Sequence, residues 1–264
     1  MCECEAHNGT PAFEERACVV SNENLGPRLY KITLAAPKTA AAIRPGQFVH
    51  MLLPGFGAHI LRRPFSVYAV KGDNVEIIYQ TVGEGTAYLT EVETGAVCSL
   101  ISPLGRGWQP SEGKSLIVGG GVGAAPLFMF TEQLVREGRE VEVVLGAQTA
   151  SMMVTRDDYA SLLGRDPIVA TDDGSLGYTG FCTEPVREEL ARGDYSAVYC
   201  CGPTPLMRAV AAIAEEAGVP CWVSMEKRMA CGVGACLSCV VETQAGKRRS
   251  CVDGPVFNAK ELVW

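Results

Sequence analysis

The hydrophobic period of this chain changes near Ser115, and few folds accommodate what lies on both sides of the change. From Glu14 to about Ile101 the apolar residues come in short runs (RACVVS, RLYKITLAA, GQFVHMLL, PFSVYAV, NVEIIYQTV and GAVCSLI), separated by turns containing Pro, Gly or Asn. Such runs predict an antiparallel β-barrel. GTAYLTEV, 85–92, is the one short helix expected in that block. From Ser115 the runs alternate in type. SLIVGG, VEVVLGA, DPIVATDD, YSAVYCCG and VPCWVS read as strands; AAPLFMFTEQLVREG, RDDYASLLG, CTEPVREELARG and TPLMRAVAAIAEEAG, which fall between them, read as helices. This alternation predicts parallel βαβ units. After Ser224 the periodicity gives way to a tail dense in Cys and Gly. A length of 264 residues holds more than one core, so the expected order is a β-barrel over 1–110, a parallel-sheet α/β domain over 111–223 and a small tail over 224–264.

The tail carries the sharpest chemistry. Cys231-x4-Cys236-x2-Cys239-x11-Cys251 follows the plant-type [2Fe–2S] spacing. A zinc ribbon ordinarily uses two C-x2-C pairs, and this segment holds one. A loop wrapping such a cluster must bring backbone N–H groups toward sulfur without side-chain collisions, and Gly232 and Gly234 permit that. The segment Gly232, Val233 and Gly234 is also expected to form part of a docking surface. Eight of the twelve cysteines lie outside this set. Cys18, Cys98, Cys182, Cys200 and Cys221 lie in or beside apolar runs and read as small buried hydrophobes. Cys2 and Cys4 have no partner pair nearby in sequence; a second metal site there is the alternative.

Two motifs in the first half suit a ligand that has both a phosphate and a flat ring. RRPFS, 62–66, offers a guanidinium, a turn-setting proline, an aromatic and a hydroxyl; VGEGT, 82–86, opens the short helix with N–H donors and the Thr86 hydroxyl. Alone each is weak, but together on a barrel they indicate a flavin. In the second half GGGVGAAP, 119–126, follows a strand and opens a helix, although it is not G-x-G-x-x-G, and CCGPTPLM, 200–207, follows a later strand. Both loops should emerge at the carboxyl edge of one sheet, as a dinucleotide crevice requires. TDDGSLGYTG, 171–180, is a third loop on that edge. Its acids either repel a 2′-phosphate, favouring NADH over NADPH, or form a solvated turn.

Composition excludes other classes. A net charge of −7, with KRR at 247–249 the only basic cluster, leaves no stripe to neutralise nucleic-acid phosphates. The first fifteen residues, MCECEAHNGTPAFEE, lack a basic n-region and an apolar h-region, so no secretory signal is expected. The longest apolar stretch, 116–130, is short and broken by Gly and Pro126, which argues against a membrane span. A cytoplasmic protein with reduced thiols is expected. There is no Ser-His-Asp set, and His7, His50 and His59 are too few and too separated to suggest a metal site.

RPFS, then GxGT, GGGxGxxP and CGP, in that order, resemble the ferredoxin reductase superfamily over nearly the whole chain. MEKRMACGVGACLSC followed by CVDGPVFNAKELVW is similar to one branch of it, the electron transfer subunits of class 1B dihydroorotate dehydrogenases. The resemblance implies a ferredoxin reductase-like fold with FAD held by Arg63, Pro64, Phe65, Ser66, Ile78, Tyr79, Gln80, Gly85 and Thr86. The pyridine nucleotide falls to Gly119, Gly120, Gly121, Gly123, Cys201, Gly202 and Pro203, and a [2Fe–2S] cluster to Cys231, Cys236, Cys239 and Cys251. It also implies an FMN-containing catalytic partner that oxidises dihydroorotate, two of each subunit forming a heterotetramer. The N-terminal extension with Cys2 and Cys4 is longer than this branch leads one to expect.

Nicotinamide moves electrons in pairs and an iron–sulfur cluster moves them singly, so a chain holding both needs flavin between them. The expected order is partner FMN, cluster, FAD, NAD⁺, as one step of de novo pyrimidine (UMP) biosynthesis, with the chemistry borne by cofactors and no catalytic side chain. The alternative is an NAD(P)H reductase subunit of a ferredoxin:NADP or hydrogenase-type complex. A redox sensor without turnover is a third reading, and it predicts no NADH-driven dye reduction.

Overall fold

In a computed structural model, which describes residues 11–57 and 60–264, the alternating runs of the first half form one antiparallel sheet of seven strands. Cys2, Cys4, His7 and His59 lie outside the described residues. The strands are β1 (Phe13–Gly26), β2 (Leu29–Ala35), β3 (Phe48–Leu52), β4 (Arg63–Ser66), β5 (Ala69–Lys71), β6 (Asn74–Gln80) and β7 (Val97–Leu104), in the spatial order β4-β3-β7-β1-β2-β6-β5. β4 and β5 are opposite edges of this sheet yet are joined only by Val67 and Tyr68. The sheet must therefore curl until its edges meet. The join is hydrogen-bonded to both sides, Val67 N–H to the Gln47 carbonyl (3.5 Å) and Tyr68 N–H to the Glu76 carbonyl (2.8 Å). Every second residue points inward, and Ala17, Val19, Ile32, Leu34, Val49, Met51, Ile77 and Leu100 fill the barrel.

The expected short helix is present as α2 (Glu84–Leu89), but α1 (Pro37–Ala42) precedes it and was not expected. Its N-cap, Ala36, carries no capping side chain. The cap comes from far away in sequence: the buried carboxylate of Glu15 on β1 accepts from Lys38 N–H (2.9 Å), Thr39 N–H (2.7 Å) and the Thr39 hydroxyl (2.6 Å).

The second half folds as the alternation predicts. β8 (Lys114–Gly120), β9 (Val141–Ala147), β10 (Ile168–Thr171), β11 (Tyr178–Thr179), β12 (Tyr195–Cys201) and β13 (Cys221–Ser224) form a parallel sheet with helices α3 (Ala125–Arg136), α4 (Arg156–Leu163), α5 (Thr183–Arg192) and α6 (Thr204–Glu216) on its faces. Both faces are buried: Leu116 and Val118 pack with Val186, Val210 and Ile213, while Ile117 packs with Leu127, Phe130 and Tyr159. Tyr68, Ile78 and Trp108 join the second of these clusters, so the barrel and the α/β sheet share a core.

The tail departs from expectation. A hairpin of β14 (Val240–Thr243) and β15 (Gly246–Arg249) is followed by β16 (Val256–Asn258), which returns to the main sheet antiparallel to β13, with Val223 opposite Phe257. Met225 N–H bonds to the Pro255 carbonyl (2.8 Å) and Arg106 N–H to that of Gly254 (2.5 Å). The tail is thus stitched to both halves. The short run VFN has too little periodicity to announce an edge strand.

Candidate redox site

RPFS forms strand β4 itself, and its arginine sits where the second motif needs it. A side chain at Gly85 would meet Arg63 Nε at 2.5 Å, so the guanidinium lies across the start of α2, over the Phe56 ring at 5.0 Å. Its neighbour Arg62 is committed elsewhere, to Glu14 (2.8 Å) and the Ser99 carbonyl (2.7 Å). Arg63, whose Nη1 donates to the Leu61 carbonyl, is therefore the cation placed to meet a phosphate beside Gly85. Pro64 and Ser66 are half-buried on the same strand. Phe65 and Tyr79, however, face the barrel interior; their rings lie 6.0 Å apart and the Tyr79 hydroxyl donates to Asn22 (3.0 Å). Only the backbone of Tyr79 is left for a ligand. β5 pairs with β6 only from Asn74 to Glu76, so Ile78, Tyr79 and Gln80 have a strand on one side only, that of β2. A flat ring hydrogen-bonds readily to such an open edge. The Thr86 hydroxyl serves its own turn, accepting from Val82 N–H (2.8 Å) and Gly83 N–H (3.1 Å).

The two glycine loops of the second half converge. β8 and β12 are neighbours, with Gly119 opposite Cys201, and the sheet's strand order reverses direction between them. Gly119 and Gly120 end β8, and Gly121 and Gly123 form one 3₁₀ turn with Val122 and Ala124. A Cβ on Gly123 would meet the Cys201 carbonyl oxygen and Gly202 Cα, both at 2.6 Å. Only a bare backbone allows this approach. Pro203 caps the crevice and is exposed, whereas Cys201 is buried and its thiol, desolvated and near the Glu226 charge, is pushed up to about 12. β6 lies against the 3₁₀ turn, so the open barrel edge and the nucleotide crevice adjoin. On the third loop Asp173 is spent on its own turn, accepting from Ser175 N–H (3.0 Å) and hydroxyl (2.6 Å), while Asp172 is exposed. Phe181, just beyond, is 70% exposed.

The four tail cysteines stand as two pairs. Cys236 N–H donates to Cys231 Sγ and Cys251 N–H to Cys239 Sγ, both at 3.4 Å. Burial raises the Cys231 thiol, but N–H groups of Val233, Cys236 and Ala235 outweigh it and bring it down to about 7. Burial and the neighbouring Cys239 push Cys251 up to about 12. Among the described residues no three His, Cys, Asp or Glu form a group that could hold one metal ion. Two adjacent thiol pairs under backbone N–H groups instead fit a binuclear cluster, each iron taking two thiolates. Gly232 (φ 70°) and Gly234 (φ 83°) adopt the left-handed backbone that the tight wrap needs. Both are buried, which corrects the expectation that they face a partner; Val233, 50% exposed, and Leu237, 62% exposed, form the apolar rim instead. Cys239 and Cys251 pack on Phe48 and Leu104, anchoring the loop to the barrel.

Sequence reasoning set His50 aside, yet it joins two motifs. It lies opposite Pro64 on β3, is fully buried, and its ring meets the place where a Gly232 side chain would stand, at 2.5 Å. Burial and the charges of Arg62 and Arg63 hold it down to about 4 against the nearby carbonyls of Arg62 and Cys231, so the imidazole is neutral. No local signal marks it, because β3 and the tail meet only in the folded chain.

A model of the iron-sulfur cluster binding domain of dihydroorotate dehydrogenase B matches residues 226–263, and one of the oxidoreductase NAD-binding domain matches 117–212. The chain is 36% identical over 258 residues to the dihydroorotate dehydrogenase B (NAD(+)) electron transfer subunit of Geobacillus kaustophilus (strain HTA426), covering 94% of this chain and 98% of that protein. It is 35% identical over 247 residues to the protein of the same name from Clostridium acetobutylicum, covering 93% and 95%. A solved chain described as "Insights into flavin-based electron bifurcation via the NADH-dependent reduced ferredoxin-NADP oxidoreductase structure" superposes with a TM-score of 0.86 and 29% identity, over 97% of this chain and 91% of its own. The ferredoxin reductase in carbazole 1,9a-dioxygenase, at TM-score 0.66 and 23% identity over 80% and 68%, shares the fold.

Proposed function

The chain belongs to the family of dihydroorotate dehydrogenase B electron transfer subunits, and from that premise we propose how its own residues serve electron transfer between a dihydroorotate-oxidising partner and NAD⁺ in pyrimidine biosynthesis. When bound, FAD and the [2Fe–2S] cluster supply the chemistry, exchanging hydride with NAD⁺ and single electrons with the partner's FMN. The protein's work is placement. Arg63, with the backbone at Gly85 and Thr86, would hold the flavin's pyrophosphate, and Pro64, Ser66 and the open edge at Ile78, Tyr79 and Gln80 its ring. Gly119, Gly120, Gly121 and Gly123, together with Cys201, Gly202 and Pro203, would line the dinucleotide crevice. The exposed Asp172 carboxylate would repel a 2′-phosphate and favour NADH. Cys231, Cys236, Cys239 and Cys251 would ligate the cluster, with Val233 and Leu237 facing the catalytic subunit. No side-chain acid or base is required.

One observation supports this reading above the rest: the cysteine loop and the nucleotide turn abut the same barrel, the first through His50 on β3 and the second through β6. A carrier between them needs to cross only the ring site on that barrel. The units 1–110, 111–223 and 224–264 would correspond to flavin, nucleotide and cluster binding. The same reading takes the complex as a heterotetramer, two of each subunit, working in the cytoplasm where thiols stay reduced. Among the described residues no helix is long and apolar enough to cross a membrane.

The test is anaerobic copurification with an FMN-containing dihydroorotate-oxidising subunit, followed by a dihydroorotate-dependent NAD⁺ reduction assay. NADH should accumulate only when both chains are present. A stable complex with all cofactors loaded that forms no NADH would overturn the reading.

A further inference from the structure

His50 is 0% exposed, and neither of its ring nitrogens makes a hydrogen bond of good geometry, although the Arg62 and Cys231 carbonyls lie close enough to favour its protonated form. A neutral imidazole always carries one N–H, and leaving such a donor buried and unpaired is destabilising. The residue is not needed to fill space as an apolar side chain would be, since Leu or Phe would do so without that cost. Its surroundings limit what it can serve. On one side it faces Pro64 of the RPFS strand, across the β3–β4 register. On the other, a Cβ at Gly232 would lie 2.5 Å from Nδ1 and 3.2 Å from Cε1, so the ring presses against the peptide that follows Cys231. The charged neighbours on this side, Arg62 and Arg63, are donors only, and Arg62 Nη1 already points at the His50 carbonyl (3.4 Å).

We propose that His50 is a positioning and tuning residue for the cluster, its N–H reserved for a sulfur of the bound cluster or of Cys231, at the boundary between the cluster loop and the flavin strand. The inference rests on the cluster ligation proposed above. A donor to sulfur stabilises the extra negative charge of the reduced cluster and so raises its reduction potential. Neither the ring nor its proton takes part in bond making.

Two measurements on the holoprotein test this. In a redox titration followed by electron paramagnetic resonance, His50→Leu should shift the cluster midpoint to a more negative potential with FAD content unchanged, and His50→Gln, which keeps a donor, should move it back toward wild type. An unchanged midpoint and spectrum in a cluster-loaded His50→Leu protein would overturn the proposal. If His50→Leu fails to load a cluster, the wild-type protein decides: labelled with ¹⁵N-histidine, its reduced cluster should show a ring-nitrogen coupling in pulsed resonance spectra. Absence of that coupling would overturn the proposal. A wild-type chain that binds FAD but never a cluster would instead overturn the ligand assignment, which keeps the two failures distinct.

Discussion

Arg63 illustrates how much a single residue's role depends on what its neighbour does. Two arginines precede Pro64, and either one could have served a phosphate; Arg62 is tied to Glu14 and Ser99, whereas Arg63 lies over Gly85. Arg63→Ala removes the cation without disturbing the Arg62 network. It should lower FAD retention by roughly tenfold or more, the scale of one lost charge-assisted hydrogen bond of about 1.5–3 kcal/mol. The check is the flavin-to-protein absorbance ratio after gel filtration, and a ratio equal to wild type would remove Arg63 from the flavin site. The motif RRPFS was legible in the sequence and the resemblance already pointed to Arg63; what the sequence left out is that Arg62 is committed to Glu14 and Ser99. His50 was not legible at all, since its partners lie 14 and about 180 residues away in the chain.

At the scale of elements, the strands and the four long helices followed from period alone, because a half-buried strand and an amphipathic helix impose different spacings on apolar residues. Five elements did not, and the single expected run PFSVYAV divides into β4 and β5; the hairpin of β14 and β15 lies in the tail, where the sequence shows no period. β11 is two residues long and β16 three, below any periodic signal. α1 is six residues long and depends on a cap supplied by Glu15 on another strand. Glu15→Ala leaves the Lys38 and Thr39 N–H groups and the Thr39 hydroxyl without their acceptor, and should destabilise the barrel by about 1–2 kcal/mol. Chemical denaturation would register this as a lower midpoint with little change in slope; a midpoint equal to wild type would show that α1 needs no cap.

Across the whole molecule three sites share one barrel: the cysteine loop against β3, the flavin motifs on β4 and α2, and the nucleotide turn against β6. That layout separates functions that a mutation can divide. Cys236→Ser removes the exposed thiolate of the pair it forms with half-buried Cys231 and leaves the barrel edge and the glycine crevice as they are. The variant should lose the cluster's visible absorbance and all dihydroorotate-driven NAD⁺ reduction while keeping NADH-to-dye reduction within about twofold of wild type. Loss of dye reduction with FAD still bound would mean that the cluster lies between NADH and the flavin. The sequence by itself determined the two period regimes, the order of the motifs and the four-cysteine spacing, because each is carried by residues close together in the chain. Only the tertiary structure decided that the tail returns to the sheet as β16, that Gly232 and Gly234 are buried, that Arg62 is tied to Glu14, and that His50 lies beneath the cysteine loop. Those facts arise from contacts between distant segments, which packing creates and no local pattern encodes.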